Sequence, residues 1–295
     1  MSGASTIAIS DTASGKSHRD ENFPVASFLI APRHRAPILA FYNFVRAADD
    51  IADHEKLAPG DKLALLDRLE AALLQTGPDE PVARALRDAS QERGFSPRHA
   101  CDLLTAFRRD VTQLRYKDWD DLIDYCRYSA MPVGRFVLDV HGEDPGKTWE
   151  ANDALCAALQ IINHLQDCGK DYRDLDRVYL PQESLQAFGA KIEMLAGDKS
   201  PEQLRAVIAE LAGKTNALLT QSRGFADRID DVRLAMEVGA IQSLAETLTQ
   251  RLRDADPLAD KVHAGKARFA FIGALGATGA LLRRLVRRPA PGGAA

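Results

Sequence analysis

Cysteine is scarce: the chain has four in 295 residues (Cys101, Cys126, Cys156 and Cys168), and none stands in a CxxC pair. Neither a disulfide framework nor a zinc site is indicated by them, and a reducing cytoplasmic setting is expected. The seven histidines never fall at HExxH spacing, which argues against a zinc protease. A strong charge of one sign is missing too. With a formal net charge of −4, no basic field calls for nucleic acid. Long apolar runs are also lacking. The longest uncharged stretch, FAFIGALGATGALL at 269–282, has 14 residues, short of the roughly 20 that span a bilayer. Residues 1–20 have no apolar core, so no secretory signal is expected. Strand signals are few, with no sustained period-2 alternation and no Asn-Gly hairpin.

What remains is helical. A composition of 45% hydrophobic and 27% charged residues suits a folded globular protein, and apolar positions recur at helical spacing almost throughout. Pro and Gly divide the chain into helices expected near 36–55, 61–75, 80–93, 97–115, 118–141, 147–172, 201–225, 229–254 and 257–286. Start signals support several of them: Pro37 near a first turn, Ser96-Pro97, and Ser200-Pro201 as N-cap and first residue. Residues 173–190 break the periodicity and read as a loop with a short helix. An all-α fold of one domain over residues 17–288 follows. The stretch 1–16 is expected to be loose, and 289–295 (PAPGGAA) disordered.

Two segments place acids where a helix would gather them. In PILAFYNFVRAADDIADH (37–54), Tyr42, Arg46, Asp49 and Asp53 step by 4, 3 and 4 residues and share one face, with Asp50 off that line. Carboxylates one turn apart aim at a common volume about 5–6 Å wide. Such a volume suits Mg²⁺, which keeps its waters and takes one or two carboxylates plus phosphate oxygens. In LCAALQIINHLQDCGKDYR (155–173), Gln160, Asn163, Asp167 and Asp171 step by 3, 4 and 4. This stripe runs through an otherwise apolar helix. Buried carboxylates cost several kcal/mol unless paired or metal-bound, so two such stripes in one chain point to a joint metal and diphosphate site. A single DxxxD on a helix would more simply be a solvated face.

The segments RAADDIAD (46–53), YCRYSAMPVGR (125–135) and QIINHLQDCGKDYRDLDRVYLP (160–181) resemble the squalene/phytoene synthase family, which joins prenyl diphosphates head to head. The resemblance spans roughly residues 17–270. It implies an isoprenoid-synthase-type helical bundle around a central cavity, with two Asp-rich helices holding Mg²⁺ against a diphosphate. By position, Asp49 and Asp53 match the first metal motif, and Asn163, Asp167 and Asp171 the second. Tyr42 and Arg46 match the diphosphate pocket and Gln160 a polar cavity residue. Lys170 is expected to assist, and Arg177, Tyr179 and Pro181 match a loop that closes over the site.

The departures carry information as well. Arg127 stands where the family has an aromatic, Met131-Pro132 replaces a Gly-Thr pair, and Gln166 replaces an Arg before the second motif. HRDENFPVASFL (18–29) replaces a Ser-rich segment. With these features the chain is most similar to the hydroxysqualene synthase branch of bacterial hopanoid synthesis. That resemblance implies ionisation of presqualene diphosphate, rearrangement of the cation and capture of water, with Mg²⁺ and without NADPH. It also implies partner enzymes in squalene and hopanoid synthesis. Capture of water calls for a polar group near the cation, and the candidates are Arg127, Asn22, Glu21 and His18. Each has a plainer alternative, such as helix capping, or pairing of Arg127 with Asp124. Two further readings compete: a transferase that condenses two farnesyl diphosphates, and a non-catalytic helical assembly factor.

Other residues have plain structural readings. Trp119 and Trp149 suit packing anchors, Cys126 and Cys168 small buried groups, and Arg108-Arg109-Asp110 a solvated helix face. Arg33 and Arg35 either reach a phosphate or flank the first long helix. The apolar run in 268–288 ends in Arg283, Arg284, Arg287 and Arg288. It suits either a last helix closing the cavity or a peripheral contact at the inner face of a membrane.

Overall fold

Helical periodicity is realised almost everywhere it was expected. The computed structural model describes residues 8–12, 30–260, 262 and 266–287. Among these, twelve α-helices form and no strand does; the β-type pairing present is an isolated parallel bridge between Arg115 and Val178. Asn22, Glu21 and His18 lie outside the described residues, as does 289–295. Ile9–Thr12, within the stretch expected to be loose, forms a 3₁₀ turn packed on the first long helix with Ile9 and Thr12 buried.

That helix, α1 (Pro32–Asp53), starts a turn earlier than Pro37 suggested. Pro32 takes the first position, where a missing N–H costs nothing, and Pro37 sits inside. The carbonyl of Arg33, which Pro37 cannot bond, accepts instead from Arg93 Nη1 at 3.0 Å. Helices α2 (Pro59–Leu73), α3 (Pro81–Arg93) and α4 (Arg98–Thr112) pack around α1 through Phe44, Ile51, Leu66, Leu69 and Leu104. Each such side chain, fully buried, contributes about 1.5–3 kcal/mol relative to exposure.

The segment expected as one helix over 118–141 is two. α5 (Trp119–Ser129) and α6 (Met131–His141) meet at Ala130, whose φ of −129° and ψ of −47° leave the helical region. Pro132 in the first turn of α6 is the cause, because its ring cannot continue α5. α7 (Pro145–Leu175) is the longest helix, opened by the carboxylate of Asp144 accepting from Gly146 N. It forms the second core with α9 (Glu202–Gln221) and α11 (Val232–Asp254), through Ile161, Leu204, Leu211 and Leu248. α8 (Gln182–Ala187) and α10 (Phe225–Arg228) are short connectors. Ser200 does not cap α9; its N–H and hydroxyl both donate to Asp256, at 2.8 and 2.5 Å.

α12 (Lys266–Arg287) packs along α11 at glycine contacts. A Cβ on Gly276 would lie 2.2 Å from the carbonyl oxygen of Gly239, so the missing side chain is what lets the two helices approach so closely. Arg283 pairs with Asp227 at 3.3 Å, and Arg284 donates to the carbonyls of Ile229 and Asp230. No helix among the described residues is long and apolar enough to cross a membrane.

Three helices share one polarity. His34 near the start of α1 meets Asp231 at the start of α11, while Gly169 near the end of α7 lies against Leu258, just past the end of α11. Beginning near His141, α7 starts at the same end as the other two. The acidic ends of α1 and α7 are therefore brought to the opposite end of the molecule.

Candidate active site

The partly exposed faces of α1 and α7 are the stripes that the sequence singled out. On α1 they include Tyr42, Val45, Arg46, Asp49 and Asp53; on α7 Cys156, Leu159, Gln160, Asn163, Asp167 and Asp171. The other faces are largely buried in the two cores. At the C-terminal ends of both helices lies one cleft of about 490 Å³, lined by Arg46, Asp50 and Asp53 from α1 and by Lys170, Asp171 and Asp174 from α7; of the expected metal ligands it brings together Asp53 and Asp171, while Asp49, Asn163 and Asp167 do not line it. Asp11 and Thr12 of the N-terminal turn line it too. Toward the N-terminal ends the character changes. An apolar cavity of about 260 Å³ lies between Ile38, Tyr42 and Val45 of α1, Leu155 and Leu159 of α7, and the facing sides of α6 and α11. With a rise of about 1.5 Å per residue, Ile38 and Asp53 are about 22 Å apart along α1. One pair of helices thus presents an acidic mouth and an apolar interior in series.

Charge is concentrated at the mouth. Arg46 bridges Asp49 at 3.0 Å and Asp50 at 2.8 Å. Burial, then the neighbouring Asp53, push the Asp49 carboxyl up to about 7; Arg46 opposes this and Asp110 and Asp50 add to it. Asp49 still exposes 34% of its side chain, as expected of a group that is enclosed by protein yet open to a recess. Asp50, set aside because it lies off the Asp49–Asp53 line, borders the cleft.

Arg177 and Tyr179 are buried rather than poised over the cleft. The Arg177 guanidinium donates to Asp53 at 2.5 Å, to the Ala52 carbonyl at 3.1 Å and to the Asp110 carbonyl at 3.0 Å. These three bonds tie the end of α1 to α4. Tyr179 donates to Asp110 at 3.0 Å, and so does Tyr125. Burial pushes the Asp110 carboxyl up, while Arg177 and the two hydroxyls pull it down. The tyrosine ring also stacks on His164, with centroids 3.5 Å apart. His164 in turn contacts Gln160 at 3.0 Å and stands 3.9 Å from Asp171. Asp110, read as part of a solvated face, is a buried hub. Arg108 and Arg109 are largely covered too, pairing with Asp67, Glu70, Asp121 and Asp124.

Arg127 is not brought to the site. Its side chain is 65% exposed, pairs with Asp124 at 3.6 Å and lies in a surface groove beside Arg135 and Asp153. The other described departures are also away from the mouth. Gln166 donates to the Val262 carbonyl at 3.2 Å, and Met131 is in the core. Cys126 and Cys168 are buried, as expected, and burial pushes both thiols up to about 12. Arg33 and Arg35 sit at the far end of α1 from the cleft, Arg35 donating to the Ile30 carbonyl.

At that far end His34, His141 and Asp231 bring their ligand-type atoms within 4.8 Å of one another. Cations already fill the space. Arg33 Nε donates to His34 Nε2 at 2.9 Å and its Nη2 lies 4.0 Å from Asp231, while Arg93 stands 3.4 Å from His34 Nδ1. Burial, then His141 and the two arginines, push the His34 pKa down to about 4. The cluster is a polar knot at the N-terminal end of α1.

A family model described as squalene/phytoene synthase matches residues 16–258. The chain belongs to the squalene/phytoene synthase family. Hydroxysqualene synthase of Rhodopseudomonas palustris is 57% identical over 279 residues, covering 95% of this chain and 94% of that relative. The hydroxysqualene synthase of Zymomonas mobilis is 51% identical, covering 89% and 90%. Among solved structures, squalene synthase from Alicyclobacillus acidocaldarius superposes with a TM-score of 0.70 at 31% identity, over 83% of this chain and 91% of that one. A dehydrosqualene synthase superposes with a TM-score of 0.78 at 24% identity, over 93% and 96%, which speaks for the fold alone. The resemblance read from the sequence, the all-helical fold and an enzyme of the squalene/phytoene synthase family are thereby established, and the non-catalytic reading is set aside.

Proposed function

We propose that the protein converts presqualene diphosphate to hydroxysqualene and diphosphate with the help of Mg²⁺. The observation that carries this reading is that the same pair of helices borders an acidic cleft where it ends and an apolar cavity where it begins. The hydroxysqualene synthases at 51–57% identity support the choice of reaction within the family.

The donors fit a hard divalent ion. Six carboxylates line the cleft (Asp11, Asp50, Asp53, Glu55, Asp171 and Asp174) against three basic side chains, Arg46, Lys56 and Lys170. A diphosphate would meet net repulsion there unless cations accompanied it. In this reading Asp49 and Asp53 from α1, with Asn163, Asp167 and Asp171 from α7, hold Mg²⁺ through oxygen. Bound Mg²⁺ would neutralise the departing diphosphate. Arg46 keeps Asp49 and Asp50 aligned, Arg177 fixes Asp53, and Lys170 offers a cation at the rim. Tyr42 and Gln160 would contact the substrate, Tyr42 from the cavity wall, where Val45, Leu155 and Leu159 would shield a carbocation from bulk water. Capture by water leaves no hydride to deliver, so NADPH is not required. Exposed Leu275 and Leu282 on α12 suit peripheral contact with a membrane that holds the lipid substrate.

The test is to give the purified protein, with Mg²⁺ and without NADPH, either presqualene diphosphate or farnesyl diphosphate. Release of diphosphate with formation of the alcohol is expected from the first alone. Efficient turnover of farnesyl diphosphate as sole substrate would overturn the assignment in favour of a condensing transferase.

A further inference from the structure

An alcohol product needs a water held beside the cation, and the polar side chains described in the cavity wall are already engaged. Tyr42 and Glu237 have interactions of their own, and Asn152 donates to the Met131 carbonyl at 3.3 Å. α7 carries a different candidate. Gln160 follows Leu159, which lines that cavity, and precedes Asn163, Asp167 and Asp171 on the acidic stripe. Along the helix it is therefore placed between the apolar wall and the carboxylates. It is partly exposed, and its amide nitrogen lies 3.0 Å from Nε2 of His164, one turn further on. Among the described residues, no hydrogen bond reaches its carbonyl oxygen. His164 itself is 9% exposed and held from three sides. Its ring stacks on Tyr179 with centroids 3.5 Å apart, Tyr125 stands at 5.9 Å, and its Nδ1 lies 3.9 Å from Asp171. Both tyrosines are anchored on Asp110. An apolar ring would fill this space without the cost of burying two ring nitrogens. Those nitrogens are used: one meets Gln160 and the other faces Asp171.

We propose that His164 is a positioning residue that fixes the Gln160 amide, whose carbonyl oxygen then orients the water that captures the cation. The inference rests on the proposed conversion of presqualene diphosphate and adds to it the pair that decides alcohol against hydrocarbon. With its nitrogen turned to His164, the amide leaves its oxygen to accept an O–H from water. A water held in this way keeps a lone pair for the carbon skeleton. A glutamine free to turn would present its N–H groups as readily, and these would bind the lone pair that has to react. Fixing the acceptor therefore favours the productive arrangement. The step balances without a further reactant. A water lone pair forms the C–O bond to the carbocation, one O–H bond breaks, and the proton passes to the diphosphate that ionisation has released. The products are a neutral alcohol and a protonated diphosphate. Gln160 ends unchanged, because an amide holds the water without taking its proton.

His164→Phe keeps a ring against Tyr179 and removes both nitrogens, while Gln160→Met keeps length and removes the amide. The full chain, wild type and variants, is incubated with Mg²⁺ and presqualene diphosphate in H₂¹⁸O, with enzyme in excess so that slow variants are still read. The readout is the alcohol share of the organic product, a ratio that a smaller fraction of active enzyme does not move. Wild type is expected to give ¹⁸O-labelled alcohol. Each variant should lower that share at least fivefold in favour of hydrocarbons formed by proton loss. The double variant should fall no further than Gln160→Met alone, because His164 acts through Gln160. His164→Asn, whose amide can still bond Gln160, should restore part of the share. An unchanged share in His164→Phe, or in Gln160→Met should the first variant not fold, would overturn the proposal. So would a fall in His164→Phe that Gln160→Met does not reproduce. Wild type that forms no alcohol at all from presqualene diphosphate would instead sink the proposed function, so the two failures are told apart.

Discussion

Arg177→Lys tests whether this arginine holds the site or touches the substrate. The guanidinium serves three acceptors on two helices: the Asp53 carboxylate, the Ala52 carbonyl at the end of α1 and the Asp110 carbonyl on α4. A lysine keeps the charge, but a single ammonium on a flexible stem cannot span the fork. Two charge-assisted hydrogen bonds are then lost, each worth about 1.5–3 kcal/mol, in surroundings where breaking a buried pair costs about 3–5 kcal/mol. Taking about 4 kcal/mol as the net loss, and about 2 °C per kcal/mol for a chain of this size, Tm should fall by about 8 °C. Asp53 would also lose its fixed position, and a displacement of about 1 Å in a catalytic group costs on the order of a hundredfold in rate.

Thermal unfolding followed by circular dichroism, together with kcat and KM for diphosphate release, gives the decision. A positioning role lowers Tm and kcat together. A contact with the diphosphate made equally in ground and transition states would raise KM while leaving Tm and kcat near wild type. That second pattern, or a Lys variant equal to wild type in all three quantities, would refute the reasoning from the buried geometry.

Four shorter expectations accompany it. Asp49→Asn and Asp167→Asn should each lower diphosphate release at least a thousandfold with helical circular dichroism intact; near-normal turnover removes that residue from the metal assignment. Inorganic diphosphate should bind at least tenfold more weakly after EDTA treatment than with Mg²⁺ restored, by calorimetry, because the cleft lining is net acidic; equal affinities would contradict the electrostatic argument. Gly276→Ala places a Cβ 2.2 Å from the Gly239 carbonyl oxygen and should destabilise by about 1–3 kcal/mol, read as a lower midpoint in urea; an unchanged midpoint refutes the close approach of α11 and α12. Burial works to raise the Asp256 carboxyl, but hydrogen bonds from Ser200 and from Leu258 and Ala259 hold it below its usual value. Its contribution to stability is therefore complete above about pH 4 and lost as pH falls further, so Asp256→Asn should differ from wild type in Tm at pH 7 and converge on it near pH 3. A constant difference across that range argues against the paired carboxylate.

Local signals made most of the helices legible. Apolar spacing located α2, α3, α4 and α7 to within a few residues, and the expected last helix is α12. The break at Ala130 was also written in the chain, since Pro132 cannot continue a helix begun at Trp119. The strength of the surrounding periodicity hid it. Asp110 was not legible. Arg-Arg-Asp reads as a solvated face until Tyr125, Tyr179 and Arg177, 15 to 69 residues away along the chain, close over the aspartate. Arg127 shows the opposite error. Departure from a family pattern drew attention to it, yet its place on α5 leaves it in water. Glu237 had a faint signal, an acid on the apolar stripe of Leu234 and Ile241. Only the meeting of α1, α6, α7 and α11 shows that this stripe faces a cavity.

In the proposed reaction the acids share one protein with a reactive cation, and the order of charge along α1 makes that feasible. The carboxylates of Asp49, Asp50 and Asp53 are held by Arg46 and Arg177 at one end of α1, where Asp50 and Asp53 border the cleft. A polar cluster of His34, His141, Asp231 and Arg33 stands at the other end. The walls of the cavity are mostly aliphatic and aromatic, so a positive charge held there would meet little that could intercept it. Aliphatic walls neither add to a cation nor accept its proton, and they exclude bulk water. The fate of that charge is then decided by the few polar atoms that line the walls. Helix register chooses them: the same 3.6-residue repeat that sets Asp49 and Asp53 on one face of α1 sets Tyr42 toward the cavity, and on α11 it sets Glu237 there between Leu234 and Ile241.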